Sequence, residues 1–568
     1  MKISKLLPNS FFQGILILPM LLLMPFILLS QDFREQYHEA PDDAYIHVDR
    51  ANMIKGASHK ANGDGYFTTQ ANIDSNGNDM IGDAANEPSI AIDPTNPDRI
   101  VIGWRQFDTV FSNFRQAGNA YSLDGGLSWT FPGVLDPQVF RSDPVLDFDA
   151  SGNLYYNSLR GTLECDVYKI TDGGIDWGAP FPARGGDKQW MKIDKTNGIG
   201  AGNNYSYWNA SFTTCAPGSF TRSIDGSNTF EACEEVDGNP FWGTLAVDAD
   251  GTLYMVGIDG VNFIIVKSST AKDPTVTPVT WDSVSTFDMD GLLGIGGPIN
   301  PQGLLGQAWV DVDISNGPGH GNVYALASVI RTSNGDPGDV MFVRSTDGGI
   351  TFEAPVRINT DNSETDYQWF GTMSVAPNGR IDVAWLDTRD ASAGTNMSAL
   401  YFSYSEDQGS TWSINKRLSL AFDPNIGYPQ QNKMGDYMDM VSDNEGAHLA
   451  WTNTINGGQD VYYTHITPSL LGVNDFTFLD ELNFKSYPNP FSEETTIEFF
   501  SNNEEHVKIE VFDILGKKQA TLLDENVIGK QQLMWNGKGA RGVKLDSGIY
   551  FISLYVYGST KVSKIIIK

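Results

Sequence analysis

The sequence has little cysteine, histidine or basic charge, and each shortage excludes a class of protein. Three cysteines among 568 residues cannot all pair, so the chain is not a disulfide-rich scaffold. The seven histidines lack partners at metal-ligand spacing, which argues against a zinc centre. With 38 Lys and Arg residues against 70 Asp and Glu residues, the formal charge is −32, which repels nucleic acid.

Long apolar runs are also scarce, and the one that stands out lies at the N-terminus. Lys2 and Lys5 precede an apolar stretch from Ile15 to Leu29, a pattern that predicts a secretory signal peptide over residues 1–30. A retained N-terminal anchor is the alternative. We expect no transmembrane anchor in the mature chain, because no later segment is long and apolar enough to cross a membrane.

The three cysteines leave the disulfide pairing open. Cys215 and Cys233 flank a predicted hairpin turn, and a bridge between them would leave Cys165 free. Pairing of Cys165 with Cys215 is the alternative.

A turn motif, Ser/Thr-x-Asp-x-Gly-x-Thr/Ser-Trp/Phe, recurs along the chain between predicted strands. In this pattern Asp accepts hydrogen bonds from turn amides, Gly takes the left-handed backbone position and the aromatic residue packs beneath the hairpin. The motif resembles the Asp boxes of the sialidase superfamily and related Asp-box propellers, which implies a β-propeller with a structural role for each box. The copies are intact at Asp124, Asp347 and Asp407, and degraded at Asp172 and Asp225.

Upstream of these turns, a second pattern of two apolar strands around an Asp/Asn/Gly turn repeats seven times. We therefore predict an all-β fold with a seven-bladed propeller over residues 86–466, and six blades as the alternative. The segment Gly65 to Ile73, within an N-terminal segment of residues 31–85, is predicted to close the ring as an added strand. The repeats start at Asn86, Ser142, Asp187, Phe241, Gln307, Asp366 and Gly435.

The tail differs in character and follows a predicted linker at residues 467–483. Residues 484–568 contain Tyr487-Pro488-Asn489-Pro490-Phe491, then VFDILGK, WNGK, SGIYFISL and a basic end. In this order the elements resemble a type IX secretion C-terminal sorting domain of Bacteroidota. The resemblance implies a small Ig-like β-sandwich, the type IX secretion machinery as a partner, and a protein that is secreted or held on the outer cell surface.

In a propeller, residues before the first strand and after the second strand of each blade meet on one face. Carboxylates before the first strands are predicted to ring the channel mouth, as candidate catalytic residues, at Glu87, Asp143, Asp187, Asp366 and Asp436. Candidate ligand-binding residues nearby are Arg105, Arg160, Asp387, Arg389, Trp190, Trp369, Tyr367 and Tyr437.

These residues support two interpretations. Paired carboxylates can act as acid and base in glycoside cleavage, while guanidinium groups and aromatic rings can hold a sugar. Repetition in many blades instead favours a structural role, with each carboxylate capping amides and pairing with arginines. The sequence Asn86-Glu87-Pro88-Ser89 stands where sialidases carry an arginine motif, so the charge is inverted.

We therefore predict a propeller that binds extracellular glycan or protein. The alternative is a glycoside hydrolase acting on an acidic polysaccharide, and the sequence does not decide whether the chain is an enzyme. Asp74 to Asp79 resembles the start of a calcium loop but lacks its glycine and terminal glutamate. We predict a solvated turn there and no cofactor, with calcium as the alternative.

Overall fold

The computed structural model describes residues 43–171, 175–471, 484–514, 516–540, 542–556 and 559–568. The predicted signal peptide and residues 472–483 of the predicted linker lie outside these ranges. The described chain is all-β apart from two short 3-10 helices, at Arg50–Asn52 and Pro468–Leu470. No helix within these ranges is long and apolar enough to cross a membrane.

The N-terminal segment and the first repeats form short antiparallel strands, as the alternation of apolar and polar residues predicts. The N-terminal strands are β1 (Ile54–Ala57), β2 (Lys60–Gly63), β3 (Tyr66–Gln70) and β4 (Asn78–Ile81). Sheet 1 contains β5 (Ala84–Ile92), β6 (Ile100–Phe107) and β7 (Gln116–Ser122). Sheet 2 contains β8 (Arg141–Phe148), β9 (Leu154–Arg160), β10 (Cys165–Ile170) and β11 (Phe181–Arg184).

The middle repeats continue the same pattern of three to five strands per sheet. Sheet 3 contains β12 (Trp190–Ile193), β13 (Asn204–Tyr207) and β14 (Phe220–Ser223). Sheet 4 contains β15 (Leu245–Val247), β16 (Leu253–Ile258), β17 (Phe263–Ser268) and β18 (Ser283–Phe287). Sheet 5 contains β19 (Gly291–Leu293), β20 (Trp309–Val312), β21 (Val323–Arg331), β22 (Asp339–Ser345) and β23 (Val356–Arg357).

The last two sheets complete the repeats. Sheet 6 contains β24 (Gln368–Val375), β25 (Ile381–Asp387), β26 (Ala399–Ser405) and β27 (Lys416–Arg417). Sheet 7 contains β28 (Asp439–Ser442), β29 (Ala447–Asn453) and β30 (Asp460–Ile466), to which the N-terminal β3 and β2 are added.

The sheets close into a ring, which makes this part of the chain a β-propeller. The first long strand of each sheet contacts the corresponding strand of the next sheet, and β28 of sheet 7 contacts β5 of sheet 1. The N-terminal β3 pairs with β30, from Tyr66 opposite Ile466 to Gln70 opposite Tyr462. This is the place where the sequence predicted a ring-closing strand. Pairing of strands from the two ends of the domain removes a free sheet edge.

The recurrent aspartates form the turn that their sequence pattern predicts. Asp124 Oδ1 accepts hydrogen bonds from the Ser122 hydroxyl at 2.7 Å and the Ser128 amide at 2.9 Å. Asp347 and Asp407 make equivalent bonds to Ser345 and Ser405. These bonds lower the pKa of Asp124 even though burial opposes ionisation. Asp172 lies outside the described residues.

The copy at Asp225 keeps the same geometry despite its altered sequence. Asp225 Oδ1 accepts from the Ser223 hydroxyl at 2.8 Å and from the Thr229 amide at 2.9 Å. Ser227 replaces the motif's glycine and adopts the left-handed conformation at φ 64°. The hydrogen bonds of the turn therefore hold a non-glycine residue in a conformation that costs free energy.

Two further features complete the fold. Cys215 and Cys233 form a disulfide, while Cys165 is a buried free thiol.

The tail forms one antiparallel sheet whose strands are joined by hydrogen bonds. These strands are β31 (Lys485–Tyr487), β32 (Thr495–Asp513), β33 (Lys518–Trp535), β34 (Gly548–Val556) and β35 (Ser559–Ile567). They enclose their own apolar core, which includes Phe491, Ile509, Trp535 and Ile552.

The turn at Asp124 ties sheet 1 to sheet 7, because the Thr69 hydroxyl of the ring-closing strand donates to the Gly126 carbonyl at 2.8 Å and Tyr463 of β30 packs against Gly126. A Cβ at Gly126 would lie 2.0 Å from Cε1 of Tyr463, and the residue has φ +90°. We expect Gly126→Ala to lower the free energy of unfolding by about 3 kcal/mol or more, from overpacking and strain together. The control is Gly125→Ala, where φ is +71° but the nearest atom is 3.5 Å away. It should cost about 1 kcal/mol in urea unfolding. Equal losses would contradict this account.

Candidate functional site

A residue in the left-handed conformation recurs at the start of the inner strand of each sheet, where the sequence analysis put its candidate carboxylates. The ladder between the first two strands is interrupted at Asn86/Ser89 in sheet 1, at Ser142/Val145 in sheet 2 and at Trp369/Thr372 in sheet 6. The residue with positive φ lies within each of these interruptions, and in sheets 3, 4, 5 and 7 it lies just before the inner strand. These residues are Glu87, Asp143, Lys188, Trp242, Gly306, Phe370 and Gly435. Such bulges re-aim side chains at the rims of β-structures.

Four of the five predicted carboxylates meet in one cluster. Glu87, Asp143, Asp187 and Asp436 are each at most 4% exposed. The ammonium of Lys188 lies 2.7 Å from Asp436 Oδ2 and 3.5 Å from Asp143 Oδ2. Because Lys188 belongs to the start of sheet 3 and Asp436 to the start of sheet 7, which are not neighbours in the ring, this contact crosses its centre. We call the group of Glu87, Asp143, Asp187, Asp436, Arg105, Arg115, Lys188 and Lys433 the axial cluster.

The remaining cations complete the pairing of the axial cluster. Arg105 Nη2 lies 3.1 Å from Glu87 Oε1, and its Nε donates to Asn86 Oδ1 at 2.9 Å. Lys433 Nζ lies 2.7 Å from Asp436 Oδ2 and 3.5 Å from Glu87 Oε1. The Arg115 side chain is fully buried beside this group, and its Nε donates to the Ser142 hydroxyl at 3.0 Å. The cluster thus holds four carboxyl groups and four cationic groups.

Burial and ion pairing shift the pKa values of the four carboxyl groups in the cluster in opposite directions. Burial raises the pKa of Glu87 to about 7 and that of Asp187 to about 6, despite the nearby cations. Burial also opposes ionisation of Asp143, but Lys188 and Arg105 outweigh it and lower the pKa to about 2. Lys188 and Lys433 likewise hold the pKa of Asp436 well below its usual value, against the effect of burial.

Neighbouring carboxyl groups with separated pKa values are typical of acid–base catalysis, so access decides what this cluster can do. The four carboxylates are 0 to 4% exposed, and the two lysines are 6 and 7% exposed. A substrate has to come within hydrogen-bond reach of a catalytic group. The expectation that these carboxylates ring an open channel mouth is therefore corrected, because the side chains are enclosed and paired with cations.

Three of the four aromatic residues predicted to bind ligand, Trp190, Trp369 and Tyr437, are also enclosed, which corrects their predicted role. Trp190 is 5% exposed, and its ring lies 5.0 Å from that of Trp309 and 5.3 Å from that of Tyr437. The Tyr437 hydroxyl donates to the Pro144 carbonyl at 3.1 Å. Trp369 is fully buried and donates to the Ser398 hydroxyl at 3.2 Å. These three rings pack the core and offer no face to a sugar.

The remaining candidates lie apart from the axial cluster. Asp366 and Tyr367 are half-buried before β24, and burial raises the pKa of Asp366. Asp387 is buried, and Arg389 lies 2.6 Å from its Oδ2. Arg160 keeps 34% of its side chain exposed and lies 2.5 Å from Glu164 Oε2. The sequence analysis missed Lys188, Lys433 and Arg115, although two of them stand within three residues of a predicted carboxylate.

The calcium-like segment forms a hydrogen-bonded turn that is paired with Lys55. Asp74 Oδ1 accepts hydrogen bonds from the Asn76 amide at 2.8 Å and the Asn78 amide at 2.9 Å. Lys55 Nζ lies 2.8 Å from Asp74 Oδ2. In the described part of the chain, no group of three or more His, Cys, Asp or Glu side chains is arranged to hold a metal ion.

Comparison with solved structures finds distant similarities. The chain is 14% identical to a protein of unknown function from Dyadobacter fermentans, with a TM-score of 0.39, covering 68% of this chain and 98% of that one. It is 9% identical to the phage phi92 endosialidase, with a TM-score of 0.39, covering 88% and 87%. It is 11% identical to Trypanosoma rangeli sialidase, with a TM-score of 0.34, covering 90% and 93%. At these values the similarities assign neither ligand nor reaction.

Comparison of sequences identifies the tail. No curated protein sequence matches the chain. Residues 485–568 match the family described as Secretion system C-terminal sorting domain. This match confirms the resemblance noted in the sequence, and with it the export to the cell surface or beyond that such a domain directs. The chain is a β-propeller protein whose tail is a sorting domain of the type IX secretion system.

Proposed function

We propose that the protein is an exported seven-bladed propeller that binds an extracellular glycan or protein and has no catalytic centre at its axis. The observation that supports this proposal is the state of the axial cluster. Its carboxylates are paired with cations and at most 4% exposed. Hydrolysis by two carboxyl groups needs both in an open pocket that admits a sugar and a water molecule.

The proposed ligand face is the end of the ring that carries the loops between second and third strands. These loops follow β6, β9 and β25 in sheets 1, 2 and 6. Polar side chains in or next to these loops keep some exposure, such as Arg160 at the end of β9, at 34% of the side chain, and Arg389, at 15%. Loops on a rigid scaffold vary without disturbing the fold, so binding residues are often found there. The secretion machinery is the proposed partner of the tail.

A binding and turnover screen separates this proposal from the hydrolase alternative. The full-length secreted protein should bind at least one glycan or protein on an array without releasing sugar products, because the axial carboxylates are enclosed and paired with cations. The screen combines an extracellular glycan and protein array with chromatography of the unbound fraction. Asp366→Asn tests the half-buried candidate acid, and Glu364→Gln, on the exposed neighbouring position, is its matched control. Product release that Asp366→Asn abolishes and Glu364→Gln spares would overturn the proposal.

The axial cluster should act as a structural element, and Asp436 is the carboxylate that lies 2.7 Å from both Lys188 and Lys433. We expect Asp436→Asn to lower the free energy of unfolding by about 3–5 kcal/mol at neutral pH, because it leaves buried Lys188 and Lys433 without their closest anion. The pKa of Asp436 is depressed in the folded state. Its contribution is therefore present above its unfolded pKa of about 4 and shrinks as the pH falls below it.

The control for this variant is Glu353→Gln, which breaks the Arg344–Glu353 pair on the surface, where Glu353 is 53% exposed. Exposed pairs contribute about 0–1 kcal/mol. Urea unfolding followed by tryptophan fluorescence measures both variants. If the free energy of unfolding of Asp436→Asn equalled that of the control, the axial cluster would not stabilise the propeller.

A further inference from the structure

The loop between β6 and β7, residues 108–115, holds a large apolar side chain in water. Phe111 lies at its tip and is 78% exposed. The loop is nevertheless fixed on both sides of this residue. The Val110 amide donates to the Gly82 carbonyl at 3.1 Å, and the Asn113 amide donates to Asp43 Oδ2 at 2.9 Å.

Side chains of the loop make further hydrogen bonds to Asp43. The Ser112 hydroxyl donates to Asp43 Oδ2 at 3.1 Å, and the Asp43 amide donates to Asn113 Oδ1 at 2.6 Å. The Phe111 amide itself contacts the Thr109 hydroxyl at 3.3 Å. An apolar ring presented by a pre-ordered loop loses little conformational entropy when a ligand covers it, and covering it removes apolar surface from water.

The neighbourhood of Phe111 combines aromatic rings with polar groups. A shallow depression beside the loop is lined by Tyr45, Asp108, Thr109, Ser112, Phe114 and Gln116. The rings of Tyr45 and Phe114 meet edge to face with centroids 5.4 Å apart. Gln116 Nε2 donates to Asp108 Oδ2 at 2.9 Å, and Arg50 Nη1 lies 3.3 Å from Asp108 Oδ1. These contacts hold the polar side chains in place around the rings of Tyr45 and Phe114.

This mixture of groups indicates the chemistry of the ligand. A sugar ring has an apolar face of C–H groups that stacks on aromatic rings, and an edge of hydroxyls that exchange hydrogen bonds with polar side chains. The partly exposed side chains of Tyr45, Asp108 and Thr109 can make such bonds, whereas Ser112 and Gln116 are buried and hold the depression in shape. The local charge disfavours an anionic sugar. Asp43 and Asp108 lie at the loop, its own cation Arg115 is fully buried, and Arg50 is already paired with Asp83 at 3.0 Å and with Asp108 at 3.3 Å.

We propose that the loop with Phe111 at its tip and the depression lined by Tyr45 and Asp108 form a binding site for a neutral sugar ring of an extracellular polysaccharide. This inference rests on the proposed binding function and names its ligand class. It places recognition on the rim of the proposed ligand face, over sheet 1, and away from the axial cluster.

The test compares variants of the full-length secreted protein against neutral polysaccharides, namely a β-glucan, a mannan and a galactan, with alginate as the anionic probe. Phe111→Ala should weaken binding of the preferred neutral glycan about tenfold or more without changing the unfolding midpoint, because the side chain is exposed. Ile414→Ala is the matched control, since Ile414 is also 78% exposed but follows the Asp407 turn at the other end of a sheet. It should leave binding unchanged. Tyr45→Phe, which removes only the hydroxyl, should weaken binding by a smaller factor.

The outcomes separate this inference from the function on which it rests. A neutral glycan that binds wild type and Phe111→Ala equally would overturn the site and leave the binding function standing. Preference for alginate, or capture of a protein while every glycan fails, would overturn the neutral-sugar assignment alone. Absence of any ligand for the wild-type protein would overturn both proposals.

Discussion

The structure depends on how the ring accommodates charge at its centre. Four carboxyl groups and four cationic groups lie within the axial cluster, with the carboxylates at most 4% exposed. Removing an ion from water costs several kcal/mol even in a relaxed protein interior, so such groups are tolerated only when each finds opposite charge and hydrogen bonds. Lys188 meets this condition by reaching Asp436 across the ring, at 2.7 Å. The inner strands of sheets 1, 2, 3 and 7 have to be in register for these pairs to form.

The outer strands and turns of the propeller keep these inner strands in register. The added strand β3 joins both ends of the domain, and the Asp124 turn packs on it through the Trp129 indole, which donates to Thr69 Oγ1 at 2.9 Å. The left-handed residues at the start of the inner strands, such as Glu87 at φ 49°, then aim side chains at the centre. Strained backbone of this kind persists where its surroundings fix it. With the centre occupied by ion pairs, the proposed ligand face is formed by the outer loops.

The sequence predicted the scaffold well because repetition is visible in a single chain. The aspartate turns and the alternation of apolar and polar residues depend on local geometry, so they predict strands and hairpins. The tail motif predicts an export domain. The site was harder, since the sequence does not show which way a kinked strand aims its residues. Relative to the left-handed residue of each sheet, Asp187 stands one position before Lys188, Asp436 one after Gly435 and Asp366 four before Phe370. The four carboxylates that meet in the axial cluster lie at this residue or one position from it, whereas Asp366 lies four positions away and therefore apart from them. Lys188 occupies the left-handed position itself, and it was missed because the repeats were compared only for their carboxylates.

The central claim is that the axis of the ring is closed and paired, and the reactivity of its two lysines tests this claim most directly. Under native conditions, an amine-acylating reagent followed by peptide mass spectrometry should leave Lys188 and Lys433 unmodified, because their side chains are 6% and 8% exposed. Lys485 and Lys530, at 56% and 59%, should react within the same time. Modification of Lys188 or Lys433 at the rate of the exposed pair would mean that the axis is open, and would contradict the account.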